Sequence, residues 1–179
     1  TKNQLEDINE LKCDSLLVFY LTQNRFNTLP DNFFSNFPEL QSLYFDYNFL
    51  KVLSNQSSEM LGVISLSLNC IETIECSTLN FPKLVSLDLS KNRIKKIPNN
   101  FSKSFPILKY LYLNDNFITE IPDDENDENP VFPKTLTILN LSNNLLEKVP
   151  NSITNLPELT DLDIENNKVT HIPKLNDSI

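Results

Sequence analysis

Residues 84–98 read LVSLDLSKNRIKKIP, and this stretch decides the fold. Leu84, Leu87 and Leu89 lead to Asn92 and Ile94 and fit the string L-x-x-L-x-L-x-x-N-x-L. In the L-x-L part apolar residues alternate with polar ones, a period of two that predicts a short strand with one buried face. The Asn that follows is a polar residue inside an apolar pattern, so it needs a structural reason.

The same string recurs seven times, with conservative apolar replacements. Steps of 24, 21, 23, 24, 28 and 23 residues separate the asparagines, which are Asn24, Asn48, Asn69, Asn92, Asn116, Asn144 and Asn167. An apolar residue follows each asparagine by five positions, and in five of the seven copies a proline comes next. A unit repeated at such intervals indicates a chain built of stacked coils.

On these residues the chain resembles the leucine-rich-repeat family over roughly residues 16–175, in the 23-residue intracellular form related to Ras-pathway scaffolds. The resemblance implies an α/β solenoid. In such a curved leucine-rich-repeat horseshoe, a parallel β-sheet lines the concave face and irregular or short helical segments form the convex face. It also implies a protein-interaction module rather than an enzyme.

Residues 16–179 are predicted to form a seven-repeat domain, and residues 1–15 lie outside the pattern. Leu5, Ile8 and Leu11 recur every three residues, which fits a short capping helix, but the segment fits the tail of an upstream repeat equally well. We expect the chain to be a fragment of a longer protein.

The repeat asparagines and the phenylalanines before prolines are predicted to be scaffold. An amide side chain has donors and an acceptor, so a column of seven can satisfy backbone groups on successive coils. Phe37, Phe81, Phe105 and Phe132 are expected to pack against one another behind the sheet.

Composition excludes several classes of function. With 15 Lys+Arg against 24 Asp+Glu, the net charge of -9 argues against nucleic acid or an anionic membrane as the main partner. No apolar run is long enough to span a membrane. One Gly excludes a phosphate-binding glycine loop, His171 is the sole histidine, and no Cys/His spacing fits zinc. We expect neither catalysis nor a cofactor nor a metal.

An acidic insertion at residues 123–130 causes the 28-residue step. It lacks the ligand spacing and the turn glycine of an EF-hand loop, so a solvated loop is favoured over a calcium site. Its charge is also able to steer a basic partner.

The cysteines favour the cytoplasm. Cys13, Cys70 and Cys76 are odd in number and do not form a disulfide framework, so we expect free thiols, with a Cys70–Cys76 pair as the lesser alternative. An extracellular or surface-displayed receptor or adhesion domain is the competing interpretation. Four Asn-x-Ser sequons, at Asn55, Asn100, Asn140 and Asn176, give it little support, because 25 asparagines produce several sequons by composition alone.

Strand periodicity identifies the positions that face outward from the sheet, and a partner is expected there. All five tyrosines fall on these positions, and tyrosine is enriched in interfaces. Acidic residues gather in repeat seven, which suggests a protein partner with an apolar or aromatic patch and a basic one. The candidate contact residues are Tyr20, Tyr44, Asp46, Tyr47, Leu68, Asp88, Tyr110, Tyr112, Asn140, Asp161, Asp163 and Glu165.

The sequence therefore predicts an adaptor or targeting module of an intracellular signalling protein that binds its partner on the concave face. The extracellular receptor or adhesion domain stays open as the alternative.

Overall fold

One parallel sheet of seven three-residue strands organises the chain in a computed structural model, which describes residues 3–8, 10–123 and 130–171. Each strand comes from the L-x-L part of one repeat, and neighbours in the sheet are neighbours in the repeat order. In chain order these strands are β1 (Val18–Tyr20), β2 (Ser42–Tyr44), β5 (Val63–Ser65), β8 (Ser86–Asp88), β9 (Tyr110–Tyr112), β10 (Ile138–Asn140) and β11 (Asp161–Asp163).

The register of the sheet matches the register of the repeats. Leu43 of β2 pairs with Phe19 of β1 and Ile64 of β5, so residues at the same repeat position form rows across the sheet. The predicted parallel sheet and solenoid are confirmed, whereas the horseshoe curvature stays a prediction.

The return segments of the repeats hold the remaining short elements. Two small parallel sheets join neighbouring repeats, and the helices are single turns. The strands are β3 (Val52–Leu53) with β6 (Thr73–Ile74) and β4 (Gln56–Ser57) with β7 (Leu79–Asn80). The helices are α1 (Phe101–Ser104), α2 (Asn151–Thr154) and the 3₁₀ turns Phe33–Asn36 and Cys76–Thr78.

A chain of phenyl rings fills the return side of the core. Phe81 stacks on Phe105 at 5.9 Å, and it meets Phe34 edge-on at 5.6 Å. Phe37 and Phe132 contact this row of rings through other phenylalanines. Phe37 packs against Phe33, and Phe132 packs against Phe101. The predicted phenylalanine packing is therefore direct for one pair and relayed for the rest.

The asparagine column works as predicted. Asn92 is 5% exposed, and its Oδ1 accepts the backbone N–H of Ile71 in the preceding repeat at 2.9 Å. Its Nδ2 donates to the carbonyls of Leu66 and Leu89 at 2.9 and 3.0 Å. The other repeat asparagines follow this arrangement, except that Asn24, in the first repeat, donates only to carbonyls of its own repeat. No buried side-chain polar atom in the described part of the chain lacks a partner.

A left-handed turn precedes every repeat asparagine. The residue before it has a φ of 52° to 57° in all seven repeats, a conformation that side chains usually avoid. These residues are Gln23, Tyr47, Leu68, Lys91, Asp115, Asn143 and Asn166. The turn directs the chain inward, so the next side chain, the asparagine, is buried.

The N-terminal segment takes the place of a preceding repeat. Leu5 donates its N–H to Asn24 Oδ1 at 3.2 Å, and its carbonyl accepts the N–H of Arg25 at 2.8 Å. Phe26 makes the same two bonds with the next repeat, to Asn48 and Phe49. Residues 3–8 and 10–15 contain no helix, and both alternatives, a cap and the tail of an upstream repeat, stay open. The domain boundaries stay a prediction.

The three cysteines are free thiols, as the sequence favoured. Burial raises the pKa of the Cys76 thiol to about 11, so it is a neutral core residue at physiological pH. Most of the acidic insertion, residues 124–129, lies outside the described residues. Asp123 belongs to the fold because it accepts the N–H of Asn151 at 2.7 Å.

Candidate functional site

Three positions in each repeat form the surface that we call the strand face. They are the first and third strand residues and the residue two places after the strand, whose side chains leave the sheet on the side opposite the core. The middle strand residue points into the core, as Leu43 and Leu87 do at 0% exposure. The predicted contact residues all lie on this face, except the two that occupy the left-handed turns.

Tyr20 and Tyr44 form an aromatic ladder at one end of the strand face. Their rings stack at 4.8 Å with an angle of 7° between the planes. Tyr20 is 69% exposed at the edge strand, whereas Tyr44 is half-buried beneath its neighbours. Tyr110 and Tyr112 form a second aromatic site on β9, where Tyr110 is 36% exposed. Strand positions separated by one repeat are about 4.8 Å apart, so three strand spacings separate the two aromatic sites.

The fold requires no polar contact from these tyrosines. None of their hydroxyls has a hydrogen-bond partner within the described residues. A tyrosine hydroxyl in an interface usually does find one, so these rings combine large apolar area with unused polar groups. That combination is what distinguishes them from the other residues of the strand face.

Three other predicted contact residues form hydrogen bonds that stabilise the fold. Asp88 Oδ1 accepts the N–H of Ser90 at 2.8 Å, which caps the chain as it enters the left-handed turn. Asn140 and Asp163 do the same for the residues two places on, at 3.0 Å each. Sequence reasoning missed this role. The signal for it is an Asp or Asn four residues before the repeat asparagine in repeats four, six and seven.

Asp46 performs the same task for a neighbouring repeat. Repeat three has Ser65 where the capping residue would stand, and Asp46 Oδ1 accepts the N–H of Ser67 at 2.9 Å instead. The Ser65 hydroxyl donates to the same oxygen. Burial raises the pKa of the Asp46 carboxyl, these hydrogen bonds oppose the rise, and repulsion from Asp88 adds to it.

The remaining predicted residues divide into two groups. Tyr47 and Leu68 occupy left-handed turns at the border of the strand face, and Tyr47 is 53% exposed there. Asp161 and Glu165 lie on repeat seven at the opposite end from the tyrosine ladder, and both are exposed. Asp161 accepts a hydrogen bond from the Thr160 hydroxyl at 2.9 Å.

Every charged residue of the strand face is acidic. Its charged residues are Asp46, Asp88, Asp161, Asp163 and Glu165, and none of its positions holds Lys, Arg or His although the chain has 15 Lys+Arg. Such a one-sided distribution creates a negative potential that attracts cations over a Debye length of about 8–10 Å.

Among the described residues, no group of three or more His, Cys, Asp and Glu side chains is placed to hold a metal ion. His171 is exposed beyond the last strand. None of the helices described here has the length and hydrophobicity that crossing a membrane requires.

Comparison with known proteins identifies the repeat. Two family models described as leucine-rich repeat match residues 82–131 and residues 135–156. Tsukushi of Gallus gallus is 31% identical over 93% of this chain and 53% of its own length. The chain belongs to the leucine-rich-repeat family. The human leucine-rich repeats and immunoglobulin-like domains protein 3 is 28% identical over 87% of this chain and 14% of its own length.

A third relative is the human oligodendrocyte-myelin glycoprotein, 29% identical over 89% of this chain and 35% of its own length. The chain thus spans about half or less of these relatives. The comparisons do not support the cytoplasmic placement and favour its extracellular alternative, and the 23-residue Ras-type form stays a prediction.

Proposed function

We propose that this leucine-rich-repeat chain is the recognition part of a secreted or cell-surface protein and that it binds a protein partner on the strand face. The observation that carries the proposal is the placement of Tyr20, Tyr44 and Tyr112. Asp88, Asn140 and Asp163 stand at the same repeat position and accept backbone N–H groups of the fold, whereas the tyrosine hydroxyls make no hydrogen bond within the described residues. Polar groups that the fold does not use are available for recognition.

The names of the relatives support the extracellular placement. One carries immunoglobulin-like domains, a fold common at cell surfaces, and another is a glycoprotein. A free thiol is compatible with secretion when it is shielded, as burial shields Cys76, whereas Cys13 and Cys70 are half-buried. The preference for an intracellular signalling adaptor rested on those thiols.

The chemistry of the strand face defines the partner. Stacked tyrosine rings offer flat apolar area to an aromatic or aliphatic side chain, and they also attract a guanidinium or ammonium group through the ring face. The acidic residues at the other end select Lys and Arg. The partner is therefore a protein with an apolar or aromatic patch beside a basic one, and we propose no nucleic acid and no cofactor.

The tyrosines are tested by the double variant Tyr44→Ala with Tyr112→Ala. Immobilised chain captures binding proteins from the extracellular fluid of the source tissue, and the dissociation constant is then measured with the purified partner. We expect the double variant to raise it about 30-fold, because buried aromatic anchors contribute about 2 kcal/mol or more when truncated.

Phe49→Ala with Phe117→Ala is the matched control. These rings are 49% and 50% exposed, but they follow the repeat asparagine and lie off the strand face. The control should bind as the unmodified chain does. Equal binding by the tyrosine variant and the unmodified chain would place the partner elsewhere.

The acidic end is tested by a variant that removes its negative charges and keeps the left-handed turn of repeat seven. The variant combines Asp161→Asn, Asp163→Asn and Glu165→Gln, and the amide that Asp163→Asn introduces still caps the turn, since Asn140 does so in repeat six. We expect affinity at low ionic strength to fall about tenfold and its dependence on salt to flatten, because steering by the face is lost. The triple change Glu39→Gln, Glu147→Gln, Glu158→Gln alters net charge equally off the face, and a similar loss there would contradict a local effect.

A further inference from the structure

The described part of the chain contains three Asn-x-Ser sequons that are alike in sequence and different in structure. They begin at Asn55, Asn100 and Asn140, and each has an apolar residue or Gln in the middle. An Asn-x-Ser sequon accepts an N-linked glycan only in a secretory protein, and the glycan is bulky and needs an open surface. The surroundings of each asparagine therefore decide where the folded protein has room for a glycan.

Asn55 is open to solvent. It lies between β3 and β4, on the return side of the repeat, and both Asn55 and Ser57 are exposed. Its Nδ2 donates to Asp31 Oδ1 at 3.1 Å, a surface hydrogen bond. A glycosylated Asn keeps one hydrogen on Nδ2, so this bond can persist. The backbone is held independently, because the N–H of Asn55 donates to Thr78 Oγ1 at 2.9 Å and its carbonyl accepts the N–H of Asn32 at 3.2 Å.

The loop around Asn55 is anchored without help from the asparagine side chain. Gln56 is 1% exposed, its Nε2 donates to the carbonyl of Pro30 at 2.8 Å, and its Oε1 accepts the N–H of Phe33 at 3.1 Å. This fixed loop presents the Asn55 side chain outward, away from the strand face.

The other two sequons are built into the fold or into the strand face. Asn140 lies on β10, with Tyr112 and Asp163 beside it on the two neighbouring strands, and its Oδ1 accepts both the N–H and the hydroxyl of Ser142. A glycan there would cover the strand face. Asn100 is half-buried and precedes Phe101, which is fully buried, and the Ser102 hydroxyl donates to the carbonyl of Pro130.

We propose that Asn55 is an N-glycosylation site and that the folded protein carries no glycan at Asn100 or Asn140. The transfer joins Asn55 Nδ2 to the anomeric carbon of a lipid-linked oligosaccharide pyrophosphate. The bond from that carbon to the pyrophosphate oxygen breaks, the lipid pyrophosphate leaves with the bonding electrons, and Nδ2 releases one proton. The inference rests on the secretory placement proposed above, and it leaves the strand face free for the partner.

The test is the full chain, secreted from eukaryotic cells behind a signal peptide and analysed by peptide mass spectrometry. We expect a glycan on the Asn55 peptide and none on the Asn100 and Asn140 peptides. Peptide N-glycosidase should remove the glycan and convert Asn55 to aspartate. Ser57→Ala destroys the sequon and retains Asn55, whose φ of 53° lies in the left-handed region that asparagine tolerates. It should therefore abolish the glycan and leave the melting temperature and partner binding unchanged. Ser54→Ala, a neighbouring change outside the sequon, is the control.

Two results would overturn the inference: an unmodified Asn55 in folded, secreted protein, or a glycan at Asn100 or Asn140. Neither result depends on the partner. Conversely, loss of glycan in Ser57→Ala with intact binding, together with unchanged binding by the tyrosine variant, would support the glycan site and reject the strand-face function. The two proposals therefore fail separately.

Discussion

Phe81→Ala is expected to lower the free energy of unfolding by about 3–5 kcal/mol, the range for truncating a buried aromatic side chain. Phe81 is fully buried and joins two groups of rings, through Phe34 on one side and Phe105 on the other. Its loss removes apolar burial and leaves a cavity between repeats. Because each repeat contacts mainly its neighbours, the damage also weakens the coupling between the two halves of the solenoid.

The measurement is urea denaturation followed by circular dichroism, with the midpoint and slope fitted separately. Phe117→Ala is the matched control, since the same side chain there is 50% exposed and the expected change is within about 0.5 kcal/mol. A broader transition in Phe81→Ala than in the unmodified chain would show that the halves unfold separately. An unchanged midpoint would mean that the ring chain contributes nothing to stability.

The ring chain also shows how far sequence reasoning reaches. The Phe-Pro pairs predicted that Phe81 and Phe105 pack behind the sheet, because a repeated position must lie beside its copies. The relaying rings, Phe33, Phe34 and Phe101, stand outside that pair, and their contacts depend on side-chain direction in single-turn helices. Periodicity cannot supply that direction.

The candidate site shows the same division. Alternation in L-x-L predicted which residues leave the sheet, and the strand face has them where expected. Alternation could not show that Asp88 and Asp163 accept backbone N–H groups. These N–H groups lie beside left-handed turns, and no glycine in the sequence marks the turns. With one Gly in the chain, the usual sequence signal for positive φ is absent.

The prediction of a cytoplasmic location rested on the cysteines. Three unpaired cysteines are typical of a reducing compartment, and the prediction gave that feature more weight than the sequons. In the structure, Cys76 is a core residue with a raised pKa, so its thiol reports on packing rather than on the redox state of the surroundings.

Asn92→Leu is expected to lower the free energy of unfolding by about 3 kcal/mol, the upper part of the range for leaving buried hydrogen-bonding groups unpaired. The change preserves volume approximately, so the loss is one of polar contacts. Without the amide, the N–H of Ile71 is left unpaired. The carbonyls of Leu66 and Leu89 each lose one of two amide donors and keep the Nδ2 of Asn69 and Asn116. Urea denaturation measures the change, and Asn99→Leu, at an exposed asparagine, should leave stability nearly unaltered.

Asn92→Asp distinguishes the contribution of the amide's acceptor, Oδ1, from that of its donor, Nδ2. The carboxylate keeps an acceptor for the N–H of Ile71, but it sets a negative oxygen against the carbonyls that Nδ2 served. If the column stabilises through both its donors and its acceptor, Asn92→Asp will be at least as destabilised at neutral pH as Asn92→Leu, and acid will partly restore it by protonating the carboxyl. Retention of full stability by Asn92→Asp would mean that the acceptor alone matters. Because Asn92 follows the turn that Asp88 caps, the same column holds the strand face in register, and its loss should weaken partner binding wherever the chain still folds.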